Sequence, residues 1–172
     1  MACFRSRSGR LTGSSRRSAR DASATRCTCV KARYETAVKY LLDTCTLSYF
    51  VQGDRSVASR LKATSPALLV ISSVTVMEIE YGLQLNAKRA RSLGAVMKAL
   101  FASVEIAAYG VEDASATASI RASLRRKGRP IGPFDLMIAG TAVSRGFTLV
   151  TSNVAEFRSV SGLLIEDWRA DL

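Results

Sequence analysis

Residues 66–83, PALLVISSVTVMEIEYGL, change periodicity partway along. Leu68 to Ile71 form a continuous apolar run of the length expected for a strand buried on both faces. Ser72-Ser73-Val74-Thr75 then offer cap hydroxyls, and Val76, Ile79 and Leu83 recur at helical spacing, with Glu78 and Gly82 on the same helix. Ser72, Ser73 and Thr75 also interrupt the most apolar stretch of the chain, Pro66 to Met77, so nothing approaches the roughly 18 apolar residues of a membrane helix.

The same alternation extends in both directions. Lys39-Tyr40-Leu41-Leu42 reads as a first buried strand that stops at Asp43 and opens into a loop. Gly53-Asp54 punctuates the chain, and Val57 and Leu61 predict a short helix ending before Pro66. Downstream, Asn86 to Phe101 is helical, with Leu93, Val96, Met97, Leu100 and Phe101 on one face and Lys88, Arg89 and Arg91 at its polar start. Val104 to Ala107 is a third strand. A helix from Val111 to Lys127 ends on the cations Arg125, Arg126 and Lys127, which suit the helix dipole, and stops at Gly128. Gly132-Pro133 opens the next helix, with Asp135 in its first turn and Ile138, Ala139, Ala142 and Val143 as its buried stripe. Phe147 to Val150 is strand four, followed by Thr151-Ser152-Asn153, and Leu163 to Glu166 is the last strand. Strands alternating with helices predict an α/β fold, an α/β/α sandwich around a central parallel sheet of about five strands.

The 172 residues suit one domain, and 48% apolar against 23% charged residues excludes a disordered or low-complexity chain. There is no histidine, which removes Ser-His-Asp and Cys-His nucleophiles, His-ligated zinc and imidazole acid-base chemistry. The net charge of +11 is uneven. Residues 1–37 hold nine Lys and Arg against Asp21 and Glu35, while residues 38–172 carry only +4. Residues 1–37 lack an apolar period and read as a basic, Ser/Arg-rich disordered arm outside a domain spanning 38–172. A transit peptide or a nucleic-acid-binding arm would share that composition. The preferred expectation is a misassigned start, translation naturally beginning at the codon read as Val38, because no Met lies between Met1 and Met77. Four cysteines make no disulfide framework here, and Cys27-Thr28-Cys29 lacks the second pair of a zinc site. Without an apolar signal core, a cytoplasmic location is expected.

Parallel sheets bind ligands beyond the carboxyl ends of their strands. That edge selects Asp43 after strand one, Glu78 after strand two, Asp135 before strand four and Asn153 after it. Singly, Asp43 is explained as an N-cap, Glu78 as a solvated helix residue and Asp135 as a first-turn acid. Jointly they repel, and a divalent cation with oxygen preference, Mg²⁺ or Mn²⁺, would hold them and activate water without histidine.

Residues 38–168 resemble PIN-domain ribonucleases, specifically the VapC toxins of bacterial toxin-antitoxin pairs, through Leu41-Leu42-Asp43-Thr44, Ser72 to Glu78 with Gly82, GRPIGPFD at 128–135 with Ile138-Ala139, and Leu149 to Asn153 with Glu156-Phe157 and Gly162-Leu163 to Asp167-Trp168. The resemblance implies a PIN-like fold, Mg²⁺- or Mn²⁺-dependent cleavage of a tRNA or rRNA loop, and catalytic, metal-holding acids at Asp43, Glu78 and Asp135. Many relatives carry an aspartate where this chain has Asn153, and Glu156 is the candidate to supply the missing charge. Thr44 and Thr151 are expected to orient Asp43 and the fourth ligand, and Arg125, Arg126, Lys127 and Arg129 to hold RNA phosphates. It also implies a homodimer, a cognate VapB-type antitoxin that covers the site, no membrane, and promoter DNA contacted only through the antitoxin. Two alternatives are a phosphoacceptor-like regulator and a nucleic-acid-binding subunit that has lost catalysis.

Overall fold

The computed structural model describes residues 38–169. The basic arm and the start-site expectation lie outside the described residues. Five strands, β1 (Tyr40–Leu42), β2 (Leu69–Ser72), β3 (Glu105–Ala107), β4 (Thr148–Val150) and β5 (Leu164–Glu166), alternate with seven helices. These are α1 (Thr44–Val51), α2 (Arg55–Ala63), α3 (Ser73–Gln84), α4 (Ala87–Ser103), α5 (Val111–Arg126), α6 (Pro133–Arg145) and α7 (Val154–Phe157).

The sheet order is β3-β2-β1-β4-β5, and every pair is parallel. Leu41 sits between Val70 and Leu149, and Leu42 between Ile71 and Val150. All six are fully buried, and consecutive residues enter different cores. Leu41, Val70 and Leu149 pack with Val74, Ile138, Ala139 and Phe157; Leu42, Ile71 and Val150 pack with Leu47, Val57, Met97 and Trp168. The sheet therefore has helices on both faces, which is why its strands read as unbroken apolar runs instead of alternating ones. Among the described residues no helix is long and apolar enough to cross a membrane.

Two local expectations are corrected. The chain after Asp43 forms no loop; it enters α1 at Thr44, because the Asp43 side chain caps the helix. Leu47 on that helix is wholly buried, and Tyr49 and Phe50 pack against its cluster. Val96 leaves the apolar face of α4 and stands 46% exposed, the buried position being Met97.

Helices α5 and α6 pack tightly at Gly140. A side chain at Gly140 would meet the Asp113 carbonyl at 2.9 Å and collide with the Thr117 hydroxyl, so glycine sets the spacing there. At that end of the pair the buried Asp113 accepts from Arg145 Nε at 3.1 Å and Nη2 at 2.7 Å, from Ser144, and from the Gly110 N–H at 2.8 Å. Arg145 and these donors hold the Asp113 carboxyl down at about 2. Gly140→Ala is expected to cost about 1–3 kcal/mol by overpacking, read as a lower urea midpoint at unchanged m-value.

Candidate active site

The parallel register sets the ends of β1 and β4 side by side, so Asp43 and Thr151 emerge as neighbours. Asp43 is 4% exposed and its carboxylate is held on both oxygens. Oδ1 accepts from the Thr44 N–H at 2.7 Å; Oδ2 accepts from the Thr151 hydroxyl at 2.8 Å and from the Cys45 thiol at 3.0 Å. Thr151 in turn accepts from the Asn153 N–H at 3.0 Å.

Glu78 reaches this edge from α3, whose N-cap is Ser72 at the end of β2; the Ser72 Oγ accepts from the Thr75 N–H at 2.9 Å. The Glu78 carboxylate accepts from the Thr44 hydroxyl at 2.6 Å. Thr44 therefore divides its donors: the backbone serves Asp43, and the hydroxyl, expected on Asp43, serves Glu78. Asp135 enters from the first turn of α6, behind Pro133. A Cβ on Gly132 would lie 2.5 Å from its Oδ2, so the glycine lets the carboxylate lie back against the loop.

Asp135 is pushed up to about 6, first by its own burial and then by the negative charges of Asp43, Glu156 and Glu78. Those three act on it from the N-cap of α1, from α7 and from α3. None of them is in an ion pair among the described residues. As placed, no three acid or thiol side chains among the described residues already stand close enough to share an ion. Asn153 is half-buried at the N-cap of α7, and Glu156 is exposed in its first turn.

The cations lie apart from this cluster. Arg125, Arg126, Lys127 and Arg129 are exposed at the end of α5 and in the loop leading to α6. Lys127 donates to Ser161 at 3.3 Å and Arg129 to Ser159 at 3.4 Å, which joins that loop to the segment just past α7. On the other side, an apolar cleft of about 300 Å³ opens from Thr44 and Glu78 between α1, α3 and α4; Leu47, Ile79, Leu83 and Met97 form its walls, and Arg89 also lines it. The thiol of Cys45 is the site feature that spacing did not reveal. Its only sequence signal is its place two residues after Asp43.

Carboxylates gathered at one edge without a paired cation among the described residues, Asp43 and Glu78 steadied only by neutral hydroxyl, thiol and amide donors, suit a hard divalent ion: every acid donor is oxygen, and the charge is left uncompensated.

Residues 40–163 match the family model described as PIN domain. The chain is 38% identical over 131 residues to the tRNA(fMet)-specific endonuclease VapC of Salmonella typhimurium, covering 76% of this chain and 98% of that protein. It is 33% identical over 132 residues to the ribonuclease VapC of Haemophilus influenzae, again covering 76% and 98%. Among solved structures, DNA-bound VapBC from Salmonella typhimurium superposes with a TM-score of 0.71 at 39% identity, covering 76% of this chain and 98% of that one. VapBC2 from Rickettsia felis, bound to a promoter DNA fragment, gives 0.71 at 27% identity, with 76% and 99% covered. With acids delivered by β1, α3 and α6 to one edge of an all-parallel five-stranded sheet, and with these matches, the chain belongs to the PIN-domain family, among its VapC ribonucleases.

Proposed function

We propose that this chain is a divalent-metal-dependent endoribonuclease, the toxin of a toxin-antitoxin pair, and that it cuts a structured RNA at an exposed loop. The observation that carries the reading is Asp135, half-buried at the sheet edge and raised to about 6 by desolvation and by the field of Asp43, Glu156 and Glu78, with no cation paired to any of these acids among the described residues. Asp43, Glu78 and Asp135 would hold Mg²⁺ or Mn²⁺, with Asn153 and Glu156 at the fourth position. Glu156 supplies the charge that Asn153 lacks, consistent with its field at Asp135. When bound, such an ion lowers the pKa of water and offsets charge growing on the phosphoryl oxygens.

The chain's own groups do the positioning. Thr44, Cys45 and Thr151 hold Asp43, and the Thr44 hydroxyl holds Glu78. Arg125, Arg126, Lys127 and Arg129 would bind phosphates flanking the cut, because backbone contacts fix register without reading sequence. The Salmonella relative acts on tRNA(fMet) by its name, and a tRNA loop, with bases free to splay, is the substrate class we assign here. The VapBC neighbours are toxin-antitoxin complexes, some on DNA. A cognate VapB-type antitoxin would seat an apolar segment in the cleft beside Thr44 and Glu78 and cover the acids, and promoter DNA would be contacted through the antitoxin alone. A homodimer, residues 38–172 as the functional domain, and action in the cytoplasm complete the reading.

Asp135→Asn tests the central claim on two axes. Cleavage of a tRNA pool with Mn²⁺ is expected to fall at least 100-fold, and EDTA should abolish it in the wild type; metal-independent cutting by the wild type would refute the reading. Stability moves the other way. A carboxyl whose folded pKa is raised contributes fully below the unfolded value of 3.8, and that contribution is lost as pH climbs through about 6. Metal-free Asp135→Asn is therefore expected to exceed the wild type by on the order of 1–2 kcal/mol at pH 7, allowing for solvent screening, with the gap closing near pH 4.

The cationic loop makes a separable prediction. Arg126→Gln with Arg129→Gln should raise KM about 3- to 10-fold at unchanged kcat and flatten the salt dependence of KM, measured between about 50 and 200 mM salt. A loss confined to kcat would remove these residues from RNA binding.

A further inference from the structure

Asp43 accepts three hydrogen bonds, two of them on Oδ2. The third donor is unusual in kind. Cys45 is a half-buried free thiol in the first turn of α1, 3.0 Å from Asp43 Oδ2 and 3.2 Å from Thr151 Oγ1. The Ser152 N–H donates to its sulfur at 3.4 Å, so the acceptor side of the sulfur faces the loop after β4. The thiol has one proton and two acceptors in reach. Either choice ends on the same carboxylate, directly or through Thr151, whose own hydroxyl donates to Oδ2.

A carboxylate has about four lone-pair positions. Thr44, Thr151 and Cys45 take three, leaving one on Oδ1. Asp43 is thereby held in one orientation with one acceptor position open.

Resting on the metal-dependent reading above, we propose that Cys45 is a positioning residue for Asp43: its thiol, clamped by the Ser152 N–H, closes the Oδ2 side of the carboxylate and fixes the orientation in which Asp43 would hold a divalent ion. A group that orients a metal ligand acts on metal affinity, and loss of such hydrogen bonds costs about 10- to 100-fold in favourable cases. A thiol is a weak donor, so its effect belongs at or below the lower bound.

Isothermal titration of the full chain with Mn²⁺ reads this without turnover. Cys45→Ala is expected to weaken Mn²⁺ binding about 3- to 10-fold. Cys45→Ser, which restores a donor, should stay within about twofold of the wild type. Cys45→Val, which keeps the bulk and drops the proton, must follow alanine, and thermal unfolding without metal checks that each variant is folded. Alanine and valine binding Mn²⁺ as tightly as the wild type, or serine losing as much as alanine, overturns the proposal. A wild type that takes up no Mn²⁺ overturns it together with the metal-dependent reading, whereas a wild type that binds beside an unaffected Cys45→Ala removes only the role of the thiol.

Discussion

Everything at the functional edge depends on the register between β1 and β4. Pairing Leu42 with Val150 brings Asp43 level with Thr151, and a slip of one residue would turn every side chain of the strand to the other face. Such a slip is forbidden because both faces are occupied: Leu41 belongs to one core and Leu42 to the other. Hydrophobic burial of about 25 cal/mol per Å² thus fixes polar atoms that contribute none of that burial themselves.

The site pulls against this frame. Asp43, Glu156 and Glu78 all disfavour the charge on half-buried Asp135, so in the metal-free protein that carboxyl carries a cost at neutral pH. The donors around the other acids are neutral: two threonine hydroxyls, a thiol and one backbone amide order Asp43 and Glu78 but bring no positive charge. By contrast, Asp113 at the other end of the α5–α6 pair has Arg145 and sits near 2. The same residue type, differently partnered, is lowered in one place and raised in the other.

Much of the framework was legible in the residues. Apolar runs at 39–42, 68–71 and 147–150 mark the central strands because they are buried on both faces, and Gly132-Pro133 marks the start of α6 through the fixed φ of proline. Asp43 was readable as an N-cap and also as a site acid; the structure shows the cap, in the Thr44 N–H bond, on a carboxylate at the end of β1. The helix α1 was hidden because TCTLSYFV is rich in β-branched and aromatic residues, whose local preference is not helical; the cap and the burial of Leu47 override it. Which donor serves which acid was not legible either, since Thr44 reaches Glu78 across 34 positions and Thr151 reaches Asp43 across 108. Partnerships of that kind follow from the packed sheet and from no local signal.

Thr44 deserves a different kind of reading, as a shared dependency between two acids. Its amide holds Asp43 while its hydroxyl holds Glu78. Backbone and side chain respond to different changes: a valine at this position leaves the helix cap on Asp43 intact and releases the glutamate, while a proline spares neither. Substitutions at positions 44 and 78 are consequently not independent events. A lineage that lost the glutamate would lose its polar reason to keep a hydroxyl at 44, and one that lost the hydroxyl first would pass through a chain whose glutamate lacks that donor. Changes at this edge are thus coupled through one residue.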